Sequence, residues 1–153
     1  MSAKNKSYAL PLTFVGIMFF AIGFALGINS LLVPVLQGSL GISNAASYLI
    51  IAATFIPFLV FGYPAGLTIK AIGYKRTMSL SFIIFAVAFY LFILSANYKS
   101  FSLFLLASFI SGAANAYLQA SVNPYITILG PLESAAKRIS IMGICNKLAW
   151  PIP

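Results

Sequence analysis

From Ser7 to Ile69 the chain carries no Asp, Glu, Lys or Arg. An uncharged run of that length cannot form the surface of a water-soluble domain, in which roughly 25% of residues are charged. Lipid is the solvent that suits it. The rest of the 153 residues is little different, with 7% charged and 61% hydrophobic overall. This composition also removes most enzyme chemistry, because metal ligation and general acid–base work draw on His, Cys, Asp and Glu. Only Glu133 and Cys145 are available. Glu133 falls in a polar loop and Cys145 has no base to activate it, so no catalytic, cofactor-binding or metal-binding residue is expected. A single Cys excludes an internal disulfide. The formal charge of +8 does not point to nucleic acid, since the basic residues are scattered between apolar runs and form no stripe.

At about 20 apolar residues per crossing, the chain divides into five segments, roughly 9–36, 45–69, 77–97, 101–128 and 139–153. The first is too long for a cleavable signal peptide, whose apolar core runs about 7–15 residues, and is read as a retained helix. Gln37 to Asn44 is a polar, Gly-bearing turn in which Ser43 or Asn44 can cap the next helix. Lys70 to Arg76 is a tight basic connection, read as a cytoplasmic gate or as a topology element. Gly130 to Arg138 is the longest polar link. Alternate-side counting puts Lys4, Lys6, Lys70, Lys75, Arg76, Lys137 and Arg138 on one face of the membrane and Lys99 alone on the other. The positive-inside rule then makes the N-terminus cytoplasmic. The ninth basic residue, Lys147, lies nine positions beyond Arg138, near the bilayer midplane at about 1.5 Å per residue. The fifth segment stops at Pro153 inside the membrane. The expectation is four complete transmembrane helices plus a truncated fifth, the N-terminal piece of a longer protein.

Ser111, Asn115, Gln119 and Asn123 recur every four residues, so four polar side chains stack on one face of an otherwise apolar helix. An Asn or Gln facing lipid leaves amide groups unpaired at a cost of several kcal/mol. The stripe must therefore meet protein, water or a ligand. Interhelical hydrogen bonding is one reading. The other is recognition of a neutral, many-hydroxyl solute such as a sugar, because amides both donate and accept. Asn29 and Ser30, followed by Pro34, allow either local bending or a polar contact in the first helix. Ser140, Gly143 and Asn146/Lys147 share a face of the fifth segment, and a Lys at mid-membrane depth is a functional candidate unless it snorkels to the headgroups. No Asp or Glu lies in any segment to pair with it. Gly23-xxx-Gly27 and Gly62-xxx-Gly66 suit close helix packing. Pro57, Pro64 and Pro124 are expected to kink their helices.

The run Asn123-Pro124-Tyr125-Ile126-Thr127-Ile128-Leu129-Gly130-Pro131 carries a family resemblance. It is preceded by Leu118-Gln119-Ala120-Ser121 and followed by Arg138-Ile139-Ser140 and Asn146. It resembles the fucose:proton symporter family of the major facilitator superfamily, and within it the bacterial glucose/galactose transporter branch. Pro64-Ala65-Gly66 through Gly73-Tyr74-Lys75 is similar to that family's loop between the second and third helices. Asn29 to Pro34 is similar to its first-helix motif. The resemblance implies a twelve-helix transporter of two six-helix halves, working by alternating access around a midplane site. This chain would supply most of the first half and would need the C-terminal half as a partner. Two positions depart from the fucose symporters: Ser30 stands where they carry an Asp, and Gln119 where they carry a Glu. Those acids serve proton coupling and substrate linkage in the family. Here coupling is left to Lys147, to sodium, to a residue in the absent half, or to nothing. Gln119, and Lys147 beside Asn146, look like the hexose branch.

The sequence thus reads as an all-α, multi-pass protein of a bacterial inner membrane, embedded in the lipid bilayer. Its expected function is sugar transport, of a hexose such as glucose or galactose, or of fucose, with a proton or sodium as possible coupling ion. The candidate substrate-binding residues are Asn29, Asn115, Gln119, Asn123, Asn146 and Lys147, facing a central polar cavity. The alternative is a structural or accessory helical membrane protein whose polar stripe serves assembly.

Overall fold

The structure, a computed structural model, describes residues 9–41 and 43–150. In order they form α1 (Ala9–Leu40), α2 (Asn44–Asn97), α3 (Phe101–Ile128), a short 3-10 turn (Leu132–Ser134) and α4 (Ala135–Ala149). The solvent dictates helix: in hydrocarbon an unpaired backbone N–H or C=O costs several kcal/mol, and an α-helix pairs these groups within its own segment. Among the described residues three helices are long and apolar enough to cross a membrane, with spans at Leu10–Ile28, Ala45–Asn97 and Phe101–Ile128. The expected all-helical class is met, whereas the described residues give three apolar spans in place of the expected four helices and a part.

The difference lies in α2. Its 54 residues would be about 80 Å long if straight, more than twice a bilayer core of about 30 Å. It is not straight. Gly73 takes φ 80° and ψ 167°, a conformation that is essentially confined to glycine, and it divides α2 into a first leg, 44–72, and a second, 74–97. Both legs pack on α3. From the first leg, Phe61 meets Phe109 and Tyr117 with ring centroids 6.0 and 6.2 Å apart. From the second, Phe92 meets Phe104 at 5.0 Å and Tyr74 meets Tyr125 at 6.1 Å.

The core forms where α3 meets the other elements. Ala114, Leu118, Val122 and Ile126, again at spacing four, are buried against Val15, Ile22 and Ala25 of α1, Met78 and Phe85 of α2, and Met142 of α4. Glycine sets two of the closest approaches. A Cβ at Gly112 would overlap the Thr54 carbonyl of α2, and one at Gly23 would overlap the Asn146 carbonyl of α4. Small residues at contacts are how membrane helices gain dispersion attraction where no hydrophobic drive operates between them. Of the two sequence-derived glycine pairs, Gly23 takes this role. A Cβ at Gly62 or Gly66 would meet nothing within 4 Å among the described residues, and the tight contact at Gly112 lies in no such motif.

Helix ends are tied locally. Of the two capping candidates before α2, Ser43 does the work: its hydroxyl accepts from the Ala46 N–H at 3.2 Å. Ser100 accepts from the Leu103 N–H at 3.4 Å at the start of α3. The far end of α3 is closed by a buried Arg138, which donates to the carbonyls of Ile126, Thr127 and Pro131 and to the Ser134 hydroxyl. A guanidinium suits that place because the last carbonyls of a helix lack intrahelical partners and carry partial negative charge.

Candidate functional site

Hydroxyl and amide side chains behave differently in this bundle. The hydroxyls of Thr54, Thr68, Thr77 and Ser140 each donate to the carbonyl four residues earlier, at 2.9 to 3.0 Å. Those of Ser81 and Ser95 use the carbonyl three residues earlier, at 2.6 and 2.9 Å. Such groups are satisfied by their own helix. A carboxamide has two donor hydrogens and an acceptor and cannot be satisfied that way, so the amides show where polarity is directed.

Asn115 is 2% exposed and half-buried Gln119 stands one turn further along α3. Gln119 Nε2 donates to Asn115 Oδ1 at 3.1 Å. The pair leaves Asn115 Nδ2 as donor and Gln119 Oε1 as acceptor, with no further hydrogen bond among the described residues. Together these atoms complement a hydroxyl, which accepts one hydrogen bond and donates another. The stripe that contains them is graded: Ser111 and Asn115 are buried, Gln119 is half-buried, and Asn123, just before Pro124, is exposed. Helix α3 thus brings Asn115 and Gln119 together and leaves Asn123 outside that contact.

Asn146 does something else. Its Nδ2 crosses from α4 to donate to the Phe19 carbonyl of α1 at 3.1 Å. That bond sits beside the Gly23 contact, so α1 and α4 are clamped at one level. Lys147, the next residue, is exposed and lies over the ring of Trp150, with Nζ 4.7 Å from the centroid. An ammonium over an indole face gains roughly 0.5–1 kcal/mol at an exposed position. The side chain of Asn29 lies outside the described residues; its neighbour Ser30 donates to the Leu26 carbonyl at 3.1 Å.

Trp150 connects Lys147 to a cavity of about 270 Å³, lined also by Leu26, Ser30, Ile50, Ile51, Thr54 and Phe55. Its wall is mostly apolar, and none of Asn115, Gln119, Asn123, Asn146 and Lys147 lines it. Thr54 and Trp150 are not among the residues that the sequence singles out, whereas Ser30 is, beside Asn29. Ser108 is another that the sequence does not single out: its Oγ is buried on α3 with no hydrogen-bond partner among the described residues. It stands seven residues before Asn115, on the same helix face, but a step of four back from Ser111 lands on Ala107, so the four-residue period passes it by.

Long apolar helices that meet through glycines and carry inward-facing amides define a polytopic membrane protein. The chain belongs to the Major Facilitator Superfamily, whose characteristic sequence pattern matches residues 14–152. Over 99% of its length it is 35% identical to the glucose/galactose transporter of Brucella abortus, covering 37% of that protein. It is 28% identical to the L-fucose-proton symporter of Escherichia coli, over 95% of this chain and 33% of the symporter. The crystal structure of the E. coli fucose:proton symporter aligns with a TM-score of 0.80 at 26% identity, covering 96% of this chain and 35% of that one. The chain spans about a third of the length of these relatives. They bear out the resemblance carried by Asn123 to Pro131. They are transporters and not enzymes, in agreement with the composition.

Proposed function

We propose that this chain is part of a sugar transporter of a bacterial inner membrane, with its N-terminus in the cytoplasm. The observation that carries this reading is the Asn115–Gln119 pair: a buried amide donor and a half-buried acceptor held together on the central helix, in a chain related over 99% of its length to a glucose/galactose transporter. In this reading the two legs of α2 are separate crossings, because about 80 Å of helix fits a bilayer only as two passes. Helices α1, the two legs and α3 are then four complete spans, and α4 begins a fifth. The polar face of α3 binds the hydroxyls of a hexose or of fucose, with Asn29, Asn123 and Lys147 joining the site during alternating access and Asn146 holding α4 against α1 beside it. The remaining length of the relatives supplies the other wall. Ser30 and Gln119 do not titrate, so these positions carry no proton. A proton or sodium gradient would act through Lys147 or through residues outside this chain.

The test is uptake of radiolabelled glucose, galactose and fucose in cells lacking their own sugar carriers. Cells would express this chain or the chain extended to the length of its relatives. Saturable uptake of one sugar by the extended form, weakened by Gln119→Leu at unchanged membrane abundance, is the expected result. Loss of one neutral hydrogen bond, about 1 kcal/mol, corresponds to about a fivefold rise in KM. Unaltered kinetics in Gln119→Leu would remove the amide pair from the site. Absence of uptake from both forms, each correctly inserted, would favour an accessory role for the helical bundle. Imposed proton and sodium gradients then separate the coupling modes.

A further inference from the structure

Two grooves flank α1, and their cations are in opposite states. The groove toward α4, about 580 Å³, includes Arg138, whose guanidinium is committed to the four oxygens at the end of α3. The groove toward the second leg of α2, about 400 Å³, is walled by Leu10, Phe14, Met78 and Phe82 and edged by Lys75 and Ser79. Lys75 is exposed and has no ion-pair partner among the described residues. Glu133 is the one acid in the sequence, so it cannot neutralise Lys70, Lys75, Arg76 and Lys137 together.

We infer that the cleft between the start of α1 and the second leg of α2 is a binding site for an anionic phospholipid, with its phosphate at Lys75 and an acyl chain along Phe14, Met78 and Phe82. The position of the cleft fits that ligand. Lys75 follows the Gly73 break between two apolar legs, a break that belongs at the membrane surface because charged Lys70, Lys75 and Arg76 surround it. From Lys75 to Phe82 the helix descends about 10 Å, within the half-thickness of a hydrocarbon core of about 30 Å. The cleft therefore runs from headgroup level into the acyl region, with its positive charge at the top and its apolar wall below. Leu10 and Phe14 are 69% and 56% exposed, so no described residue covers the α1 side of the wall. Basic side chains near a bilayer surface attract anionic lipid by about 1 kcal/mol each. A cleft that also holds the acyl chain turns that general attraction into a localised one.

The test places a tryptophan in the cleft as reporter, Phe14→Trp in a Trp150→Phe background, with Phe82→Trp as a second reporter. The protein is reconstituted into phosphatidylcholine vesicles containing brominated phosphatidylglycerol or brominated phosphatidylcholine. Stronger quenching by the anionic lipid is expected, with a relative association constant about fivefold in its favour. Lys75→Gln is expected to abolish that preference, and Lys99→Gln, on the opposite membrane face, to retain it. Equal quenching by the two lipids would overturn the inference. So would an anionic preference that survives Lys75→Gln, which would mark surface potential alone. Quenching by neither lipid at either reporter would mean that protein covers the cleft, and would overturn it as well.

Discussion

Asn115 and Asn146 are the same side chain in the same kind of helix, yet they do different things. Asn115 takes its hydrogen bond from a neighbour on its own helix and keeps a donor in reserve. Asn146 gives its donor to another helix and holds α4 against α1. The difference arises from what lies opposite each residue. Facing Asn146 is the Phe19 carbonyl, brought close because Gly23 has no side chain. Asn115 is buried beside the Gly112 contact, but among the described residues its amide meets only Gln119. A polar group in a membrane helix is thus structural when a neighbouring backbone comes within reach, and remains available for a ligand when none does.

The comparison is broken most severely at the glycines. Gly112→Ala and Gly23→Ala each push a methyl into a carbonyl of the facing helix, and each is expected to destabilise the bundle by about 1–3 kcal/mol. Thermal unfolding in detergent, followed by accessibility of Cys145, measures the loss; an unshifted midpoint would mean that the helices are not in contact there. Gly73→Ala forces a side chain into a conformation that costs about 1–3 kcal/mol. It is expected to lower the same midpoint although an added Cβ would meet nothing within 4 Å among the described residues. Asn146→Leu removes the bond to Phe19 and is expected to cost about 1 kcal/mol, within the range found for polar contacts between membrane helices. Gln119→Leu is the mildest for stability, about 0.5 kcal/mol, because its partner sits on the same helix. A double-mutant cycle with Asn115→Leu isolates that coupling. The predicted signature is a reversal of rank: Asn146→Leu is the more destabilising of the two amide changes, whereas Gln119→Leu acts mainly on sugar uptake. The same rank in both assays would erase the distinction between clamp and site.

Much of the architecture was legible because the membrane imposes so few solutions. A chain this poor in charge pairs its backbone groups in lipid by forming helices, and the structure is all-helical among the described residues. The polar stripe of α3 was legible from its period of four. Its grading was not, since periodicity fixes a face and says nothing of how deep each residue of that face lies. Asn123 lies two steps of four beyond Asn115, which at 3.6 residues per turn rotates it about 80° around the helix, and it is exposed. Ser108 and Trp150 were overlooked for a related reason. A hydroxyl in a helix is normally satisfied by its own backbone, and an aromatic ring is normally packing, so neither draws notice until its surroundings are known.

Composition and spacing alone therefore determined the solvent, the secondary structure and the set of amides from which a site is drawn, while the run Asn123 to Pro131 carried the resemblance to a transporter family. These are properties of single segments and need no neighbour to define them. Tertiary structure decided which glycine is a contact, which amide is a clamp and which is left with a donor, and that Arg138 closes α3 while Lys75 edges an open cleft. Each of those depends on a distance between helices, and a linear pattern contains no such distance.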